Sequence, residues 1–314
     1  MYGEAIALLT TLCWSIGIFP FTEAARRFGT AALNQYRLLL ACLIISGILL
    51  CFYPLTVSGL FSQPKLYQYV FLGLSGIVGF TIGDYFSFAS FKLLGPKLGS
   101  LYTTFAPGAA LLAGFLLLGQ KINRVGLLGM GVTLVGVIWL TLSKKDGQAS
   151  VKAGFKRDPR GILYGVTGAV CQGSGLVLSK LGLDYYALKL PTLHAVWIRL
   201  LFAFGAAFVV SIVGGRFWKN TQPVITNQGN GFPYMVLGTL FGPVAGVTLS
   251  LVAIQHLQVA VAQTIFALLP MMVLPINYFY YKEKITPVAL FSCLVALLGV
   301  MVLIWRDPIS KWVI

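Results

Sequence analysis

The sequence predicts an all-α integral membrane protein of ten transmembrane helices, arranged as two inverted five-helix repeats. Of its 314 residues, 58% are hydrophobic and only 10% are charged, whereas about a quarter of the residues in soluble domains are charged. Apolar stretches of roughly 18 residues or more recur along the chain, and each is long enough to cross a hydrocarbon core about 30 Å thick. The two halves of the chain also resemble each other in sequence.

The apolar stretches predict ten spans in chain order. They lie near residues 3–22, 33–53, 67–90, 99–119, 123–142, 160–180, 193–213, 233–253, 260–280 and 286–305. The first span carries Glu4 where a signal peptide carries basic residues, so we expect it to be a retained helix. The longest polar interruption combines glycine, both signs of charge and a proline, which is typical of a loop. We therefore predict a first repeat over residues 1–142, a polar connecting loop over 143–160 and a second repeat over 161–314.

The repeat is visible in aligned residues. Shifting the chain by 163 residues places QKINRVGLLGMGVTLVGVIWL on EKITPVALFSCLVALLGVMVL. The same shift pairs Pro107 with Pro270, Gly79 with Gly242 and Gly83 with Gly246, and a shift of 162 pairs Arg37 with Arg199. Because each repeat has an odd number of spans, the second must enter the membrane from the opposite side. Inverted repeats recur in secondary transporters, whose halves can exchange conformations around a central site.

These features resemble those of the drug/metabolite transporter superfamily, in its ten-helix EamA-type branch. The resemblance covers nearly the whole chain and includes the turns LLLGQKINRV and YYKEKITPV, where the family often has a glycine, an acid and a basic residue. Glu283 keeps that acid and Gln120 replaces it. The resemblance implies a central cavity lined mainly by spans one to four and six to nine, with spans five and ten peripheral. It also implies export of amino acids or related carboxylates.

Two prolines and a set of polar and aromatic residues are candidates for lining this cavity. Pro107 and Pro270 lie near the middle of the fourth and ninth spans, where each removes a backbone hydrogen bond. Such helix breaks either build a binding site or merely shape the packing. The side chains predicted to contact a solute are those of Trp14, Tyr85, Tyr102, Gln172, Trp197, Gln255 and Gln263. Aromatic residues near span ends also serve as interfacial anchors.

The charges inside the spans predict an ion pair. Asp84 is the one acid clearly inside a predicted span. The second span starts on the membrane face where the third span ends, so Arg37, near the start of the second span, should lie at nearly the same depth as Asp84. The pair is either a structural clamp or a proton-coupling site, because intramembrane charges serve both purposes. Arg199 has no equivalent acid, since the repeat counterpart of Asp84 is Val247. A guanidinium can hold a carboxylate or phosphate bidentately, so Arg199 is a candidate substrate contact. Alternatively, it snorkels to the interface or reaches Asp184.

Other functions find less support in the sequence. The basic residues lie in short connections between spans, which argues against nucleic acid as a partner. Two isolated histidines and five dispersed cysteines give no metal or catalytic spacing, so we expect neither a metal, nor a cofactor, nor catalytic residues. Sugar phosphates, nucleotide sugars and amines stay open as alternative solutes. An intramembrane enzyme or a non-transporting membrane subunit is the alternative of another class. We expect a multi-pass protein of the cell (inner or plasma) membrane.

The orientation of the spans is ambiguous. Loops that follow odd-numbered spans carry 14 of the lysines and arginines, against 7 elsewhere when Arg37 and Arg199 are left out. The positive-inside rule then predicts that both termini lie outside, whereas the resemblance implies cytoplasmic termini. The sequence leaves both orientations and the oligomeric state open.

Overall fold

All elements that the computed structural model describes are helical. It describes residues 1–53, 56–142, 158–184, 190–281 and 286–313; residues 143–157 of the predicted loop, and Glu283, lie outside these ranges. In chain order the elements are Tyr2–Phe28, Thr30–Phe52, Val57–Ser62, Leu66–Gly76, Ile77–Gly83, Asp84–Leu101, Tyr102–Phe105, Ala106–Leu118, Arg124–Leu142, Pro159–Asp184, Thr192–Val213, Phe217–Ile225, Gln228–Asn230, Phe232–Thr239, Leu240–Gly246, Val247–His256, Val259–Phe266, Leu269–Tyr281, Pro287–Ile304 and Arg306–Val313.

Seven stretches of helix are long and apolar enough to cross a membrane. They are Tyr2–Phe28, Thr30–Phe52, Leu66–Gly95, Pro159–Leu183, Thr192–Val213, Phe232–His256 and Val259–Ile276. Three shorter apolar helices, Tyr102–Leu118, Arg124–Trp139 and Leu290–Ile304, lie where the fourth, fifth and tenth spans were expected. The all-α membrane fold is thus confirmed, and the count of ten crossings stays a prediction. The spans keep their predicted ordinal numbers below.

Glycines with positive φ make two of the sharp connections between spans. Gly29 has φ 88° and separates the first span from the second. Gly95 has φ 84° and ends the third span inside a continuous run of helical residues. This left-handed region costs a residue with a Cβ roughly 1–2 kcal/mol, so glycine is needed where the chain reverses without a longer loop.

Helix boundaries in the second half repeat those of the first half. The third span is interrupted by the π-helical segment Ile77–Gly83, and the eighth span by the π-helical segment Leu240–Gly246. Each of four elements begins 163 residues after its counterpart: Ile77 and Leu240, Asp84 and Val247, Ala106 and Leu269, and Arg124 and Pro287. The shared breaks show that the sequence repeat is also a repeat of backbone geometry.

The fifth and tenth spans pack against each other through small residues. A Cβ added to Gly136 would lie 2.6 Å from the backbone nitrogen of Ala296, and one added to Gly299 would lie 2.3 Å from that of Thr133. Such close approach of helix backbones is a usual way for apolar spans to associate. Their outward residues, such as Leu128 and Phe291, are exposed, as expected for side chains that face lipid.

Candidate functional site

A cavity of about 130 Å³ lies between the two halves of the chain. A water molecule needs roughly 10–15 Å³ of such space, so the cavity suits a solute of about ten non-hydrogen atoms. The first, second, third, fourth, sixth, eighth and ninth spans supply its described lining residues. No described residue of the fifth, seventh or tenth span lines it. The lining therefore agrees with the cavity that the resemblance implies, made of spans one to four and six to nine, except that the seventh span supplies no described lining residue.

The cavity extends toward one end of the helix bundle. At this end the cavity is lined by Phe91 and Gly99, each about one turn from Gly95, where the third span ends. It is also lined by Gly165, which lies less than two turns after the start of the sixth span at Pro159. Toward the opposite ends of the first and ninth spans, Ala7, Thr10, Thr11 and the segment 259–262 are almost completely buried. Thr11 also donates a hydrogen bond to the carbonyl oxygen of Ile265, at 3.3 Å. Packed helix ends thus separate the cavity from that side.

Arg37 and Asp84 form an ion pair in the cavity wall. The Arg37 guanidinium contacts the Asp84 carboxylate and donates to Oδ1 of Asn34 from Nη2 at 2.9 Å. Its Cζ lies 4.6 Å from the ring centre of Phe88 and 5.4 Å from that of Phe21, which adds cation–π attraction. Both charges line the cavity, so the pair is within reach of a bound solute.

The backbone of the π-helical segment of the third span is bonded to a side chain of the second span. A π turn shifts the backbone hydrogen-bond register and is often found at functional sites. Nδ2 of Asn34 donates to the carbonyl oxygens of Phe80 and Thr81, at 3.1 and 3.0 Å. Asn34 therefore connects the altered backbone to Arg37, one helical turn away on the second span.

Two glutamines extend the polar cluster across the cavity. Gln172 donates from its amide nitrogen to Oδ1 of Asp84. Gln263 donates to the backbone carbonyl oxygen of Gln172, at 3.3 Å. Both glutamines line the cavity, and their side-chain oxygens are suitable acceptors for N–H or O–H groups of a solute.

Aromatic rings form much of the remaining wall. Trp14 and Phe266 meet edge to face with ring centres 4.9 Å apart, and the rings of Phe21 and Phe88 lie 5.0 Å apart. Packing on Trp14 and Phe21 requires small residues opposite, because a Cβ on Gly246 would lie 2.4 Å from Trp14 and one on Gly242 2.6 Å from Phe21. The cavity is thus mainly apolar with one charged corner.

Each proline lies at the start of a new α-helical segment within its span. Pro107 is the second residue of Ala106–Leu118, and Pro270 is the second residue of Leu269–Tyr281. A proline fits the first turn, where the missing N–H would have no helical partner. The residues four positions earlier, whose carbonyls lose that donor, are Thr103 and Phe266, and both line the cavity. The broken helices therefore border the site.

A family model described as the EamA-like transporter family matches residues 1–142 and 159–305. The chain belongs to the EamA-like transporter family. It is accordingly a multi-pass membrane transporter of small molecules. No curated protein matches it significantly, whereas 28 chains of solved structures do. One of them, a crystal structure described simply as that of a protein, superposes with a TM-score of 0.67 at 17% identity, covering 96% of each chain. At this identity the likeness shows the fold alone.

Within this EamA-like transporter, five side chains proposed from sequence meet at the cavity. They are Trp14, Arg37, Asp84, Gln172 and Gln263. Sequence reasoning missed the aromatic wall of Phe21, Phe80 and Phe88. Two of these rings could have been found from helical spacing, because Phe80 lies one turn before Asp84 and Phe88 one turn after it.

Other proposed residues lie off the cavity. The indole nitrogen of Trp197 donates to Oγ of Ser46 at 2.9 Å, and Gln255 donates to Oγ1 of Thr192 at 3.2 Å. Tyr85 is 38% exposed. Tyr102 lies beside Gly165, where a Cβ would come within 2.5 Å of its ring, and it stands next to the lining rather than in it.

Arg199 of this transporter is buried behind the cavity wall. Its Cζ lies 4.3 Å from the ring centre of Phe80, and Phe80 rather than Arg199 lines the cavity. The side chain does not snorkel to the surface, since the residue is only 3% exposed. The other alternative partner, the Asp184 side chain, lies outside the described residues.

Proposed function

We propose that this protein exports amino acids or related small carboxylates across the cell (inner or plasma) membrane. It acts as a secondary transporter by alternating access and has no enzymatic role. The observation that carries this proposal is the Arg37 guanidinium in the wall of a small, mainly apolar cavity between the two halves of the chain. A guanidinium binds carboxylates through paired, charge-assisted hydrogen bonds. The cavity volume of about 130 Å³ favours amino acids over nucleotide sugars.

The rest of the wall suits the other groups of an amino acid. The side-chain oxygens of Gln172 and Gln263 can accept hydrogen bonds from an amino group. The rings of Trp14 and Phe266 supply an apolar surface for a hydrocarbon side chain. The wall combines many apolar groups with a few polar ones, as in most sites that orient a small ligand.

Alternating access is supported by the paired halves and by the uneven ends of the cavity. The cavity approaches one side of the bundle and is separated from the other by buried residues such as Thr11. Two halves with matching helix breaks can exchange conformations and reverse this arrangement. Asp84 is the proposed site of proton coupling, because acids within membrane spans often form part of proton pathways in transporters.

Counterflow in proteoliposomes tests the proposal. Reconstituted protein is loaded with unlabelled amino acids and given a pooled mixture of labelled amino acids outside, with and without an imposed pH gradient. We expect saturable exchange that Arg37→Gln reduces by about tenfold or more, the loss of roughly one charge-assisted contact. Arg216→Gln is the matched control, since Arg216 is exposed in a loop.

The outcomes separate the candidate solutes. No exchange of amino acids, combined with exchange of sugar phosphates or amines, would replace the proposed substrate class. Equal exchange in Arg37→Gln and the wild type would remove Arg37 from the site. Concentrative transport that does not respond to the pH gradient would exclude proton coupling through Asp84.

A further inference from the structure

Arg199 is a buried cation with unused hydrogen-bonding capacity. Its Nε and Nη1 have no hydrogen-bond partner in the described part of the chain, although the residue is only 3% exposed. Stacking over Phe80 supplies some attraction, but buried N–H donors are normally paired. This arrangement indicates that Arg199 has a partner in another state of the transport cycle.

A candidate partner lies close by. Asp84 belongs to the same cluster, because the amide nitrogen of Gln172 donates both to its carboxylate and to the carbonyl oxygen of Gly79, at 3.4 Å, and the Arg199 guanidinium lies beside Gly79. Asp84 is bonded to Arg37, and these three described residues together carry two positive charges and one negative charge. A net positive charge in a protein interior is unfavourable unless an anion accompanies it. One bound carboxylate would make the cluster neutral.

The third span provides a route between the two arginines. Phe80 lies one helical turn before Asp84, and its ring separates Arg199 from the cavity. The Arg199 guanidinium packs against this span at Gly79, where a Cβ would be in ordinary van der Waals contact, 3.6 Å from Nη2. The π-helical segment ends at Gly83, immediately before Asp84, where a change of helical register would redirect the carboxylate.

We propose that Asp84 exchanges partners during transport: when the carboxylate of the solute binds Arg37, Asp84 pairs with Arg199. This inference rests on the proposed function, because it requires a carboxylate to enter the cavity. A carboxylate on Arg37 would otherwise face Asp84 at short range, and like charges repel. Arg199 is then a positioning residue that acts through Asp84 without touching the solute. A solute must carry a carboxylate, so amines that lack one do not drive the exchange.

The experiment separates binding from translocation. Counterflow of the pooled labelled amino acids is measured over a range of concentrations for wild type, Arg199→Gln, Arg199→Lys and Arg37→Gln. We expect Arg199→Gln to leave the KM within about threefold and to lower the maximal rate at least about tenfold, with Arg199→Lys recovering most of it. Arg37→Gln should raise the KM by about tenfold or more. A pool of the corresponding decarboxylated amines should not compete in the wild type.

Three results would overturn the exchange while leaving carboxylate transport intact. A rise in KM in Arg199→Gln equal to that in Arg37→Gln would make Arg199 a direct solute contact. An unchanged maximal rate in folded Arg199→Gln would give it no role in translocation. Competition by the decarboxylated amines, which needs no variant to fold, would exclude a carboxylate as the trigger. Wild-type protein that does not transport amino acids would instead refute the proposed function.

Discussion

The third and eighth spans share a backbone plan but carry different side chains. Each is interrupted by a seven-residue π-helical segment, Ile77–Gly83 or Leu240–Gly246. The next residue is Asp84 in the third span and Val247 in the eighth, and both line the cavity. The comparison teaches that both halves have the same helix breaks. Alternating access requires this, because the two halves must be able to exchange conformations. The buried acid belongs to one half, and it makes the chemistry of the cavity asymmetric.

The largest expected effect comes from removing the acid of the third span. We expect Asp84→Asn to lower the free energy of unfolding by about 3 kcal/mol, because loss of one member of a buried pair leaves the other charge uncompensated. Thermal unfolding in detergent measures it. The double variant Arg37→Gln with Asp84→Asn should recover part of the loss.

The control for this prediction is an ion pair at the surface of the same chain. Glu23 pairs with Arg26 at 3.4 Å, and the side chains are 24% and 43% exposed. Glu23→Gln should cost at most about 1 kcal/mol, as exposed pairs do. A loss in Asp84→Asn no larger than the loss in Glu23→Gln would show that the acid does not distinguish the two spans.

Sequence patterns predicted the architecture and the ion pair because both depend on position along a helix. Apolar length located the spans, and helix direction placed Arg37 at the depth of Asp84. The rotation of a side chain about its helix depends on packing, which one sequence does not reveal. Trp197 and Gln255 are at suitable depths yet bond to Ser46 and Thr192 instead.

The π-helical segments show the same limit. Gly79, Gly83 and their counterparts indicated close packing but not the change of helical register. The amide of Asn34 satisfies two carbonyls of the first segment, and nothing near Asn34 in the sequence indicates that contact.

The second prediction concerns close packing, which also differs between the two spans. A Cβ on Gly76 would lie 2.1 Å from the backbone oxygen of Arg199, whereas the repeat counterpart of Gly76 is Thr239. We expect Gly76→Ala to destabilise the protein by about 2 kcal/mol, since overpacking forces backbone shifts. Thermal unfolding and the monodisperse fraction on size-exclusion chromatography measure it.

Gly47→Ala is the control for the packing variant. A Cβ on Gly47 would have nothing within 4 Å, so the better helix propensity of alanine should stabilise that variant by up to about 1 kcal/mol. Thr239→Ala should cost about 1 kcal/mol, mainly for one buried methyl group, since its hydroxyl bonds within its own helix to Met235 at 2.7 Å. Equal losses of stability in Gly76→Ala and Thr239→Ala would show that the third span is not packed more closely at this position than the eighth.

A third variant sharpens the comparison by giving the eighth span an acid. Val247→Asp places a second carboxylate in the cavity and would bring the cluster of Arg37, Asp84 and Arg199 to zero net charge. We expect the KM for amino acids to rise by about tenfold, or roughly 1.4 kcal/mol, because the cavity no longer needs an anion. Val247→Asn gives a side chain of nearly the same shape as Val247→Asp but without its charge, so it should change the KM much less. Similar KM values for the two variants would show that cavity charge does not select the solute.

The smallest expected effect tests the buried side of the cavity, where the two halves also meet. The Thr11 hydroxyl bonds to the carbonyl oxygen of Ile265 in the ninth span at 3.3 Å, besides a bond within its own helix. Hydrogen bonds between helices in membranes contribute about 0.6 kcal/mol on average, so Thr11→Val should lower stability by that amount and modestly alter the exchange rate. Thr22 is equally buried in the same helix, and its hydroxyl bonds to Ile18 at 2.7 Å within that helix. If Thr22→Val changes the exchange rate as much as Thr11→Val, the contact between the first and ninth spans is not what closes that side.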